Sequence, residues 1–229
     1  SKMAISNSLF LNVNHTKRAG MMALQILDGV LHHRGVVEPP LFFNLILATL
    51  ISHVGIVGGI LEEDEVKPNQ PAEKYYTGKG EYKSFVGPSS NSVLWPHYIE
   101  RSLLFVDRNF RSLKNLNIED VKSAIKFSDI SSKSTAKEQT NFCHYVRSAH
   151  ILAYMTQSQY NQWLVRLYRS LEEANLLDHL GFDHLGEFRE NYSQHFWETF
   201  YSDLTHLIPL LRETEEGKML LATLYSRMS

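Results

Sequence analysis

Apolar residues recur along most of this chain at intervals of three and four, the spacing that puts side chains on one face of an α-helix. Met21, Leu24, Ile26, Leu27, Val30 and Leu31 follow it first. Pro39-Pro40 then opens a more apolar segment that reads as a helix through about Thr49, since proline suits a first helical turn, where its missing N–H costs nothing. Between residues 62 and 92 the pattern lapses into the acidic run Glu62-Glu63-Asp64-Glu65, followed by Pro68, Pro71, Gly78, Gly80, Gly87, Pro88 and several serines. That stretch reads as a long surface loop, structural or a lid. Helical spacing resumes at Pro96, with Ile99, Leu103, Leu104, Val106 and Phe110 on one face, and continues in shorter form from Ile118 to Phe127. After a polar break over residues 128–135, the segments 142–155, 159–174, 192–211 and 215–227 each read as a helix, with turns around Gly181 and Gly217. No alternation of period two persists long enough to require a sheet, and no repeat of fixed period is present. The expectation is an all-α fold, one helical-bundle domain over residues 1–229 with a long irregular excursion.

Composition narrows the function classes. At 229 residues the chain can bury one substantial core. Its 23 basic and 25 acidic residues nearly cancel, leaving a formal charge of −2, so no global field favours nucleic acid or an anionic membrane. Any ligand must be caught by a local site. The one cysteine, Cys143, excludes an internal disulfide framework and a cysteine-rich zinc site, and fits the reducing cytoplasm expected as the location. The most apolar stretch, residues 41–60, is interrupted by Asn44, Ser52 and His53 and ends in glycines, which reads as a core helix running into a turn instead of a membrane span. Residues 1–14 lack the basic segment and continuous apolar run of a signal peptide.

Eleven histidines raise the question of a metal, and spacing decides which of them can share one. His32 and His33 are adjacent, about a hundred degrees apart on a helix, and read as helix-end polarity. His179 and His184 lie in a turn-rich segment beside Asp178 and Asp183 and read as solvated; His195 and His206 read as packing or rim residues. The aromatics Tyr192, Phe196, Trp197, Phe200 and Tyr201 stand at helical spacing and read as core before partner surface, and Arg166 and Arg169 as a solvated face. His53 differs: it follows the apolar run Leu45 to Ile51 and precedes Gly55, Gly58 and Gly59. Alone, it reads as a hydrogen-bonded core histidine.

Several segments taken in order change that weighting. Residues 48–59, ATLISHVGIVGG, resemble the "AALLHDIGYVRG" type of motif, and residues 10–16, FLNVNHT, resemble "YHNxxHT". Residues 94–106, LWPHYIERSLLFV, resemble "LTPYHVDRSKLFV", and residues 145–152, YVRSAHIL, resemble "LVRAADLI". These motifs belong to the HD superfamily of metal-dependent phosphohydrolases, the second being shared with cyclic-nucleotide phosphodiesterases; the resemblance spans residue 10 to the end. Against that pattern Val54 replaces the eponymous aspartate, Leu11 replaces the first histidine of the second motif, and His150 replaces the aspartate that supplies the last metal ligand.

The resemblance implies a helical scaffold with a divalent-metal site built from His15, His53 and His150, without the usual carboxylates. Three neutral imidazoles favour zinc, iron or a similar transition ion over magnesium or manganese. Valine cannot ligate and leucine cannot act as a general acid, so a catalytically impaired binding or regulatory module is expected, with a small molecule such as a nucleotide or phosphoester as ligand and no nucleic-acid or membrane partner. The alternative is an active phosphohydrolase in which His97 or Glu100 lends a further ligand or base. No P-loop or Gly-x-Gly-x-x-Gly motif points to a particular nucleotide.

Overall fold

The computed structural model describes residues 2–66, 72–86, 89–129 and 140–228. Ten α-helices account for most of them, as expected of an all-α chain. Helix α1 (Val13–Arg34) starts at Asn12, whose side chain accepts from the amides of Asn14 and His15, and stops at Gly35, which takes the left-handed conformation (φ 75°) that glycine tolerates. Helix α2 (Pro39–Ile51) opens on its two prolines. Helices α3 (Tyr98–Phe110), α4 (Ile118–Phe127), α5 (Asn141–Met155) and α6 (Tyr160–Glu173) follow, α4 capped by Asn117 and α5 by Thr140.

Helix α5 is the axis of the molecule. Every residue from Tyr145 to Met155 is buried, the signature of a helix enclosed on all sides. Helices α1, α2, α4 and α6 pack against it, as do α8 (Tyr201–Leu204) and α10 (Glu215–Met228). The apolar core is continuous from Met3 through Phe10, Trp95 and Tyr154 to Leu224.

Two expectations need correction. The excursion after Glu62 is not wholly irregular: β1 (Ala72–Tyr76) and β2 (Tyr82–Val86) form an antiparallel hairpin with Tyr76 opposite Tyr82. Residues 67–71 and 87–88 of that excursion, 130–135 of the polar break and 136–139 after it lie outside the described residues. The single helix read over 192–211 is instead three: α7 (Leu185–Thr199), α8 and α9 (Ile208–Leu211), α9 carrying Pro209 in its first turn. Proline has no amide hydrogen to donate and its ring crowds the preceding turn, so Pro209 suits the first turn of α9 and not the interior of one helix continuing from α8.

The stretch from Pro39 to Ile56 is long and apolar enough, by composition, to cross a membrane, and 56% of it is buried inside the fold. Its regular part, α2, has 13 residues. At 1.5 Å per residue that gives about 20 Å, short of the roughly 30 Å of a hydrocarbon core.

The turn that follows α2 is fastened by a buried ion pair. The guanidinium of Arg101, fully buried on α3, meets both carboxylate oxygens of Asp64 at 2.8 Å and donates to the carbonyls of Gly55 (2.6 Å) and Val57 (3.0 Å). Asp64 also accepts from the Tyr76 amide at 3.0 Å, which ties in the hairpin. Gly55 donates to Ser102 Oγ at 2.8 Å, and only glycine fits there, because a Cβ would stand 2.1 Å from the Tyr98 carbonyl oxygen. Asp64→Asn would leave Arg101 buried without its counter-charge. The expected loss is about 3–5 kcal/mol, read as a lower urea midpoint. An unchanged midpoint would show that the pair does not anchor the turn.

Candidate metal centre

Three elements deliver one histidine each to the same interior point. His15 sits in the first turn of α1, where the Asn12 cap accepts from its amide at 3.2 Å and fixes where the helix begins. His53 occupies the turn that leaves α2, just before the one-turn 3-10 helix Val54–Ile56 that Arg101 and Ser102 hold. His150 lies in the middle of α5. All three are buried, none more than 2% exposed.

One ring nitrogen from each lies within 4.8 Å of the others. His15 Nε2 and His150 Nδ1 are 3.3 Å apart, and the ring centroids of His53 and His150 are 4.1 Å apart. Ligand nitrogens about 2.0–2.1 Å from a tetrahedral ion stand about 3.3 Å from each other, so the His15–His150 pair already has that separation. Phe10 and Trp163 wall the His15 ring, and the edge of Tyr98 meets His53 at 5.2 Å between centroids.

Beyond the 3.3 Å contact between His15 Nε2 and His150 Nδ1, hydrogen bonding accounts for little of this arrangement. Four ring nitrogens of the triad, His15 Nδ1, both nitrogens of His53 and His150 Nε2, are buried with no hydrogen-bond partner among the described residues. So is the Thr49 hydroxyl, four residues before His53. Each unsatisfied buried polar group costs about 1–3 kcal/mol, and a native core collects few of them in one place. The three rings are ready to ligate, because burial holds them neutral. It draws the pKa of His53 down to about 3, against a smaller opposing contribution from the Ser128 backbone, which approaches the ring without reaching full hydrogen-bond geometry. It takes His15 and His150 well below the usual histidine range as well, with neighbouring histidines adding to the depression. A neutral imidazole is the form that binds a metal.

The other expected positions separate clearly from the triad. Leu11 and Val54, where the motifs carry a histidine and an aspartate, are buried apolar residues. Glu100 forms an ion pair with Lys79 at 2.5 Å, and His97 is partly exposed at the end of a 3-10 helix; neither belongs to the cluster. His32 and His33 are exposed, beside Asp28 and Glu213 respectively, and His184 caps α7 by accepting from the Glu187 amide. His195 packs among Phe182, Tyr192 and Phe200, and exposed His206 lies against His144. Tyr192, Phe196 and Phe200 are core; Trp197, 37% exposed, stacks with Tyr225 and lies tilted against Tyr201. Arg166 lies over Trp163 and Arg169 pairs with Glu172.

Sequence reading overlooked two residues near the triad. Tyr98, one position after His97, faces His53 and donates to Asp129 Oδ1 at 3.4 Å, so a carboxylate stands behind the aromatic wall. Arg147, buried one turn before His150, pairs with Asp203 at 2.7 Å and donates to the Phe127 carbonyl at 3.0 Å and to that of Asp129. The available signal was an arginine three residues before the histidine, within the mostly apolar run from Tyr145 to Met155.

The depressed pKa values fix a pH dependence for the metal-free protein. Below about pH 6.5 the unfolded chain takes up protons on these histidines and the folded chain does not. Stability is therefore full above that pH and falls as the pH drops, by up to about 1.4 kcal/mol per unit per histidine. With chelator present, His53→Leu is expected to shallow the decline between about pH 6.5 and pH 5; equal slopes in the two proteins would contradict the buried, neutral assignment.

No curated protein and no solved structure matches the chain. A family model does, described as Npun_R2479-like and covering residues 1–229. The match takes in the whole triad and all the helices that position it, and the chain belongs to the Npun_R2479-like family.

Proposed function

We propose that this chain is a metal-binding module on a degenerate HD-type scaffold, its buried His15, His53 and His150 holding one transition-metal ion in a structural or regulatory role. The observation that carries this reading is the convergence of three buried, neutral imidazoles from three separate elements, one ring nitrogen of each within 4.8 Å of the others. The donor set selects the ion. With no carboxylate in the cluster, it suits zinc, iron, cobalt, nickel or copper and suits poorly the oxygen-seeking magnesium, calcium and manganese. When bound, such an ion would supply Lewis acidity and a fixed junction among α1, α2 and α5.

Burial supports binding over hydrolysis. A phosphoester has to reach the ion, and the three imidazoles are enclosed by Phe10, Trp163, Tyr98 and the helices themselves. Leu11 and Val54 place methyl groups where the resembling motifs carry an acid–base histidine and a ligating aspartate. The residues here hold and orient an ion and exclude water; none of the three is placed to pass a proton to a substrate. A nucleotide or phosphoester remains the ligand class that the motifs suggest, at a surface other than the sealed point.

The test is elemental analysis by plasma mass spectrometry on tag-free protein, with His53→Ala and His150→Ala alongside. The native chain is expected to carry about one equivalent of a transition metal that both variants lose. Re-addition is expected to stabilise only the native chain, by about 2.7 kcal/mol at a hundred times the dissociation constant. No turnover of bis(p-nitrophenyl) phosphate is expected from the loaded protein. Failure to retain or rebind any metal would reduce the triad to packing, and turnover abolished by His53→Ala would make the chain a hydrolase.

A further inference from the structure

The outer faces of α1 and α2 carry large apolar side chains that no described residue covers. On α2, Phe42, Phe43 and Leu50 are exposed, with Ile46 and Leu47 half-buried between them, and none of the helix's 13 residues is charged. On α1, Met21, Leu24 and Leu31 are exposed, Met21 by 61%. The two stripes adjoin: the helices pack together, and a Cβ at Gly20 would stand 3.1 Å from Leu50 Cδ2. Six large side chains, each exposed by between 39% and 61%, give a combined face on the order of 500 Å² if a large side chain offers roughly 200 Å². That is the upper end of what a monomer exposes in one patch and most of the roughly 800 Å² that each partner buries in a standard interface.

The charges along α1 identify the occupant. Lys17, Met21, Leu24 and Asp28 stand at i, i+4, i+7 and i+11, so they share one face, with a cation at one end, an anion at the other and two apolar residues between. The ends are about 16 Å apart along the axis. Turned end over end about an axis between Met21 and Leu24, the stripe meets its own image: Lys17 against the second copy's Asp28, Met21 against its Leu24. A lipid surface or an acidic or basic partner would match one end and be repelled by the other. Two-fold symmetry matches both.

We propose that the chain forms a two-fold dimer in which α1 packs antiparallel on α1 of a second copy, the apolar face of α2 closing the sides into a four-helix layer. Lys17 and Asp28 set the register, and Leu24, Phe43 and Leu50 supply the buried area.

Sedimentation velocity over a concentration series tests this with three variants at exposed or half-buried positions: Leu24→Asp, Lys17→Asp, and Lys17→Asp combined with Asp28→Lys. The native chain is expected to dimerise. Leu24→Asp is expected to be monomeric with an unchanged circular dichroism spectrum and an unfolding midpoint that, unlike the native one, does not rise with protein concentration. Lys17→Asp is expected to weaken the dimer about ten-fold, and the double exchange to restore it, which an apolar contact alone would not do. A native chain that stays monomeric at every concentration would overturn the proposal, as would a dimer indifferent to all three variants. So would a monomer that co-sediments with phosphatidylcholine–phosphatidylserine vesicles through the same residues.

Discussion

Three imidazoles enclosed together cost free energy unless something joins them, and that constraint organises the rest of this structure. Their seclusion is thorough, none being more than 2% exposed, and four of their six nitrogens have no partner among the described residues. A core serving only cohesion would fill that point with apolar side chains, of the kind Phe10 already sets against His15. Neutral rings on three separate elements, at separations an ion would bridge, are what a coordination site looks like before its ion is considered.

Two buried arginines hold the frame on which the triad hangs. Arg101 fixes the turn that carries His53 by gripping Asp64 and the carbonyls of Gly55 and Val57; Arg147 fixes α5 against α8 and the end of α4 through Asp203 and the Phe127 carbonyl. Buried ion pairs contribute little net stability compared with apolar packing, but removing one partner is severe, so such pairs specify an arrangement more than they strengthen it. Here each pair joins segments far apart in sequence at the level where a histidine must be held.

How much of this was legible in the sequence follows from where the signals are local. Helices α1, α4 and α5 announce themselves because their caps, Asn12, Asn117 and Thr140, stand directly before periodic apolar runs. The hairpin did not, because AEKYY and YKSFV are short and lack the sustained alternation that a half-buried strand displays, although Tyr75 reaches the core. The interruption between α7 and α9 was written in Pro209 but masked by the aromatic run Phe196 to Tyr201, whose spacing stays helical through Phe200. Of the site, His15, His53 and His150 were reachable only through the order of several motifs, since nothing local links residues 135 positions apart. Tyr98 was missed for a geometric reason. One position along a helix turns a side chain by about a hundred degrees, so the residue after His97 faces the triad while His97 itself lies toward solvent.

The most direct test of the proposed centre is X-ray absorption at the edge of whichever transition metal the purified protein carries. The account predicts a nitrogen-dominated shell near 2.0–2.1 Å with the outer-shell scattering of three imidazoles, reduced to two in His150→Ala if the ion is retained at all. A shell of oxygen donors, or an imidazole signature unchanged by that substitution, would place the metal elsewhere and contradict it.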